Sequence, residues 1–279
     1  MKHLLPILVL VCSAWSQAGG PSPSAPAPTP QTSPSAPSNP ADENTRKAKA
    51  VIDQGIQALG GPMYLNIRDR EQKGRGYSFH HGRPSSNGVL FWSFSEFPDK
   101  ERVELTPERD VAELYVGDKG YELTYKGVHP IEEKDLVDYL RRREFSLDTV
   151  LRSWVNDPGV ILLYEGSAIA ADQPALRVTL INSKNQSVTL YFDIYTHLPA
   201  KKAFEWRDPV DRQKNLEEEV YGNYRQVSGV MVPYNVTRFF NGDMASERYM
   251  SSVTINQGLD QAMFDPNSGY DPNKPAKKH

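Results

Sequence analysis

Between Asp69 and Tyr125 the chain is cut into five short runs: Asp69–Phe79, Gly88–Phe94, Glu101–Leu105, Ala112–Val116 and Gly120–Tyr125. Each alternates apolar and polar residues or carries aromatic weight. Turn residues such as Pro84-Ser85-Ser86-Asn87, Pro98-Asp99 and Gly117-Asp118 separate them. The gaps leave no room for crossover helices, so neighbouring runs must pair antiparallel. Seven further runs follow: Val160–Ile169, Ala175–Ile181, Ser187–Asp193, Ala200–Trp206, Leu216–Tyr224, Met231–Phe240 and Ala245–Ile255. In the middle of this series Val188, Leu190 and Phe192 share one side of a strand, while Asp193, Thr196 and Pro199 supply turn chemistry. Val188–Pro199 therefore reads as a central hairpin.

Only two stretches have helical spacing. Ala48, Val51, Ile52, Gly55, Ile56 and Leu59 make one face of a helix that opens at Asp42 and stops at Gly60-Gly61-Pro62. Leu136, Leu140, Leu147, Leu151 and Trp154 make a second stripe, between Glu132 and Asn156. The fold class is thus mostly β with α: a single curved antiparallel sheet of about 11–12 strands, covered by an N-terminal helix and a helical insertion. Two helices cannot cover the whole face of so large a sheet. Curled into an incomplete barrel, the uncovered face becomes a cavity under a helical lid. Phe91, Trp92, Phe94, Leu190, Phe192, Phe204, Trp206 and Tyr249 are its candidate ligand-binding residues.

The ends of the chain carry no core. Lys2 and His3 precede an apolar run from Leu4 to Ala14, and Ser16-Gln17-Ala18 has the small–x–small pattern of a signal-peptidase site. Residues 1–18 are read as a signal peptide. Gly19 to Ala41 has no charge and eight of the chain's 22 prolines, so 19–41 is read as a disordered tether. The folded domain spans 42–266 and a polar tail 267–279. Cys12 is the one cysteine and falls in the signal peptide's apolar stretch; a lipid anchor at Cys12 is the alternative. An exported protein of the periplasm or cell envelope, soluble after cleavage, follows.

No catalytic signature stands out. The six histidines have no ligand spacing, and neither a metal nor a cofactor is expected. No Gly-x-Ser-x-Gly elbow is present. Gly74-Arg75-Gly76 fits a bulged strand better than a phosphate loop. Glu217-Glu218-Glu219 fits an acidic strand edge better than a hydrolytic carboxylate pair. Arg141-Arg142-Arg143, with acidic neighbours, reads as a solvated helix face. A net charge of −3 gives no reason to expect a nucleic-acid partner.

Five stretches carry a resemblance to a known family. They are Phe94 to Glu104; Val116-Gly117-Asp118-Lys119-Gly120-Tyr121 with Tyr125; Phe192 to Pro199; Tyr224 to Pro233; and Val253 to Phe264. Together with the order of elements, they resemble the periplasmic lipoprotein-sorting carriers and acceptors of the LolA/LolB fold and the related envelope-stress sensors. The resemblance implies a half-open barrel that accepts acyl chains. It also implies a strand arginine, here Arg102, that gates the helical lid. The reading is a non-enzymatic, monomeric envelope binder of lipid or acylated protein. The alternative is a tethered sensor or interaction module that engages an envelope protein with the same fold.

Overall fold

A computed structural model describes residues 39–85 and 87–274. The expected signal peptide, nearly all of the tether, Ser86 and the last five residues lie outside the described residues.

The first helix, α1 (Pro40–Leu59), starts two residues before Asp42, with Pro40 in its first turn and the Asn39 side chain accepting from the Ala41 N–H. Its buried residues are the six of the sequence stripe. Gly60 and Gly61, both at positive φ, end it. A single turn, α2 (Pro62–Leu65), leads into the sheet.

The strands are β1 (Asp69–His80), β2 (Arg83–Pro84), β3 (Val89–Glu96), β4 (Lys100–Leu105), β5 (Val111–Val116), β6 (Lys119–Thr124) and β7 (Gly127–Pro130) before the insertion. After it come β8 (Ile161–Ala170), β9 (Gln173–Ile181), β10 (Ser187–Asp193), β11 (Pro199–Arg207), β12 (Lys214–Val227), β13 (Val230–Phe240) and β14 (Asp243–Ile255). The two strands beyond the expected dozen are the short β2 and β7, too brief to show a period. All lie in one antiparallel sheet of order β7-β6-β5-β4-β3-β1-β14-β13-β12-β11-β10-β9-β8, with β2 paired to β1. Chain neighbours are sheet neighbours except at β2 and β3, which both pair with β1, and at β7 and β8, which form opposite edges. The insertion that joins those edges comprises α3 (Glu133–Glu144) and α4 (Leu147–Arg152). The Ser146 hydroxyl accepts the Thr149 N–H and so starts a new helix where one continuous stripe was expected.

The sheet has two differently covered faces. Phe91 and Phe94 are three residues apart on β3 and therefore point oppositely. Phe91 joins the main core with α1 and α4, and Phe94 joins a small second cluster with Leu114, Met263 and Phe264. The face toward α1, α3 and α4 is called inner here. The outer face of β3–β6 is covered by the segment after β14, where Gln261–Phe264 forms a 3-10 turn.

Helix α1 sits tightly on the inner face of β8–β10. Val188, Leu190 and Phe192 are buried beneath it, and a Cβ on Gly55 would collide with the Phe192 ring. The same helix shields the β8 edge. Asn44 mimics a partner strand, donating from Nδ2 to the Tyr164 carbonyl at 2.8 Å and accepting the Tyr164 N–H at 2.9 Å. In the central hairpin, Asp193 Oδ1 accepts from the N–H groups of Tyr195 and Thr196 and from the Thr196 hydroxyl. Burial opposes ionisation of Asp193, but these bonds hold its carboxyl below the usual range. The bulge expected at Gly74 is present, as a register shift between Lys73 and Gly74.

Gly55→Leu should destabilise the fold by about 1–3 kcal/mol through overpacking. Thermal unfolding should show the loss, and adding Phe192→Ala should restore part of it. An unchanged midpoint for the single variant would contradict this contact.

Candidate functional site

Helix α3 contrasts with α1. None of its residues is fully buried. Its sheet-facing side chains are Leu136, beside Gly120 of β6, an aromatic ring and arginines: Tyr139 stacks on Tyr115 at 3.4 Å and donates to Glu101 at 2.9 Å. Arg141 lies over the Trp206 ring at 3.4 Å, and Arg143 donates to the Asp99 carbonyl. By contrast α4 buries Val150 and Leu151, and Asp148 at its start pairs with Arg70 of β1 at 2.8 Å.

Between these helices and the inner face lies a cavity of about 460 Å³, within the size range of ligand sites, about 300–1,000 Å³. Its apolar lining includes Leu59, Ile67, Val230, Val232, Val236 and Met250, all buried. Val103 and Leu147 add to it. Charged residues line it too, among them Arg142, Glu219, Arg238 and Arg248. Arg248 is exposed while Val236, its register partner on β13, is buried, so polarity rises toward solvent.

The charges on the sheet follow from register. Lys202 of β11, Glu219 of β12, Arg238 of β13 and Ser246 of β14 are successive cross-strand partners, forming a polar row across the inner face. Lys202 is 1% exposed and pairs with Glu219 at 3.0 Å; Tyr221 donates to the same carboxylate at 2.8 Å. Burial works against ionised Glu219, but Lys202, then Arg248, then the Tyr221 bond hold its carboxyl down to about 2. The phenols are pushed the other way. Burial, then the Glu219 charge, raises Tyr221, and burial with Glu101 raises Tyr139, so both remain hydrogen-bond donors.

None of the eight expected ligand-binding residues lines this cavity. Trp92, Phe94 and Tyr249 are on the outer face, since each is an odd number of residues from an inner neighbour (Phe91 or Met250). Leu190 and Phe192 are inner but sealed under α1. Phe91 is buried in the main core, Phe204 stacks on Phe145 at 4.3 Å, and Trp206 lies under Arg141.

Arg102 also differs from expectation. It pairs in register with Phe94 and Leu114, which puts it on the outer face, away from α3. There it binds Glu104 at 2.7 Å, donates to the Met263 carbonyl and faces the Tyr270 ring, fastening the C-terminal segment. The lid contacts on the inner face come instead from Glu101, its chain neighbour, and from Arg70.

The Arg141-Arg142-Arg143 run is not a solvated face, because Arg141 and Arg142 turn inward to Trp206 and the cavity. A signal for this was in the sequence. Three consecutive helical residues span roughly 200° of the helix circumference, too wide for all three to sit at the centre of a solvent face, so at least one lies toward its border with the sheet. Tyr64, Tyr115, Tyr139 and Arg238, also in the lining, carried no such signal. Among the described residues, no three His, Cys, Asp or Glu side chains converge as metal ligands. No described helix is long and apolar enough to cross a membrane.

This architecture is that of the LolA/LolB-like fold. A DUF1329 family protein from Desulfovibrio piger ATCC 29098 superposes with a TM-score of 0.54 at 12% identity, over 78% of this chain and 97% of that one. A putative outer membrane lipoprotein-sorting protein domain from Vibrio parahaemolyticus gives 0.52 at 13% identity, over 81% and 98%. No protein-family model and no curated protein sequence matches the chain.

The Lys202–Glu219 pair yields a pH prediction. Because the folded-state pKa of Glu219 is lowered from 4.5 to about 2, its contribution to stability is present above pH 4.5 and is lost as pH falls toward 2. Urea unfolding from pH 5 to pH 2 should therefore weaken more steeply in the wild type than in Glu219→Gln; equal slopes would contradict the assignment. Lys202→Met, which leaves the carboxylate buried and short of its main partner, should cost about 3–5 kcal/mol at pH 7.

Proposed function

We propose that this protein is an exported binder that holds an acyl chain, from a lipid or a lipidated protein, in the cavity between the sheet and α3–α4. The observation that carries the reading is the pairing of a buried apolar lining with a covering helix that has no buried residue of its own. Acyl burial is worth at most ~0.8 kcal/mol per CH₂, on the order of 12 kcal/mol for sixteen carbons. A carrier needs that apolar surface, and it also needs a cover cheap enough to displace. The part-buried ring stacking, cation–π contact and hydrogen bonds that α3 makes are worth about 0.5–1.5 kcal/mol each. The fold shared with a putative lipoprotein-sorting domain supports the same reading. The reading needs no catalytic step, and the Pro-rich segment before Asn39 would act as a tether.

Native mass spectrometry of gently purified protein should find a co-purifying lipid, and delipidated protein should bind a fluorescent palmitoyl probe. Val103→Trp, which fills the cavity from β4, should weaken probe binding at least tenfold with little change in the unfolding midpoint. No lipid in the purified protein and no probe binding would overturn the reading.

A further inference from the structure

The charges in the cavity are unevenly satisfied. Glu219 has Lys202 and Tyr221. Glu217 accepts Trp206 Nε1 at 3.1 Å and faces Arg141 and Arg238 at 3.5 Å. Arg141 in turn is held at 2.5 Å by Asp138. These two carboxylates are therefore engaged, and the looser contacts are on the arginines that face them. Among the described residues Arg142 of α3 and Arg248 of β14 make no hydrogen bond or contact ion pair, although the Arg248 charge acts on Glu219, and Arg238 has only long contacts, with Glu217 at 3.5 Å and Ser246 at 3.4 Å. A guanidinium offers five donors, so these three arginines leave many unused.

The geometry also favours convergence. Arg238 is the register partner of Ser246, and Arg248 is two residues beyond Ser246 on the same strand. The two arginines are thus diagonal neighbours on one face, within reach of long side chains. Arg142 comes from the opposite wall of the cavity, on α3. Burial, and next the charge of Arg238, lower the Arg142 pKa, with Glu217 and Asp138 acting the other way, so Arg142 and Arg238 face each other across the cavity. The apolar lining is continuous with them, because Val236 is two residues before Arg238 and directly opposite Arg248.

We propose that Arg142, Arg238 and Arg248 form an anion subsite that seats the headgroup of an amphiphile whose acyl tail lies along Val232, Val236 and Met250. This proposal rests on the acyl-binding reading and narrows it: the ligand carries a phosphate or carboxylate beside its tail. Guanidinium groups suit such oxyanions because they can donate two parallel hydrogen bonds. With Arg142 on the lid and the other two on the sheet, a bound anion would also bridge α3 to the sheet.

Calorimetric titration below the critical micelle concentration tests it. The probes are 1-palmitoyl lysophosphatidylglycerol, uncharged monopalmitoylglycerol and inorganic phosphate. The wild type should bind the anionic lipid at least tenfold more tightly than the uncharged one, and phosphate alone only weakly. Arg142→Gln with Arg248→Gln should bring the anionic lipid's affinity down to that of the uncharged lipid. Arg248→Gln alone, at an exposed position, should lose part of the preference and covers the case in which the double variant fails to fold. Equal wild-type affinity for the two lipids would overturn the headgroup subsite and leave the acyl cavity standing. Binding of phosphate as tight as that of the anionic lipid would assign the arginines to a free anion and overturn the headgroup role. Binding of none of the three would overturn both this proposal and the acyl-binding reading.

Discussion

A single antiparallel sheet of 14 strands presents more inner face than four short helices can cover. The way that shortage is distributed organises the molecule. Helix α1 spends most of its apolar stripe on β8–β10, where each fully buried side chain contributes about 1.5–3 kcal/mol, and its last residue, Leu59, reaches the cavity. Gly55 lets it approach Phe192 so closely that no space remains. The other end of the inner face is left to α3, which meets it through Tyr139, Arg141 and Arg143. The strongly packed half is scaffold, and the weakly covered half holds the cavity.

Topology ties the two halves together. The insertion must join β7 to β8, the two edges of the sheet, so it has to cross the inner face. Its second part, α4, is anchored by Val150 and Leu151, and its first part, α3, is not. Of the two parts, α3 is thus the one held without a fully buried side chain. The outer face solves a separate problem. Trp92, Phe94 and Leu114 would leave an apolar patch in water, and Met263, Phe264 and Tyr270 cover it. Arg102, doubly buried with Glu104 and shared with Arg109 through the same carboxylate, pins that cover in place.

Much of the architecture was legible from period and turn chemistry. The α1 stripe, the antiparallel series, the Asp193 turn and the bulge at Gly74 follow from spacing alone. The site was far less so, for a physical reason. Alternation tells which residues share a face but not which part of that face a helix will seal. Leu190 and Phe192 were read as cavity wall for their bulk, yet bulk is what draws α1 onto them. The residues that do line the cavity include Glu219, read from sequence as part of an acidic strand edge, and Arg238 and Arg248, which no motif singled out. Their inward direction is set by the register with Lys202, Ser246 and Val236 in adjoining hairpins, which alternation within a single strand does not fix. Arg102 was named from the resemblance alone, which carries no face; register puts it opposite Phe94 and Leu114, and its chain neighbour Glu101 is the one that meets Tyr139 of α3.

The central claim is that acyl chains enter the space under α3 and not the packed half under α1. Photolabelling with a diazirine-bearing palmitate, followed by peptide mapping, tests it most directly. Labels are expected on Val103, Val232, Val236 and Met250. Labels confined to Leu190, Phe192 and Phe204, or to Trp92 and Tyr249 on the outer face, would contradict it.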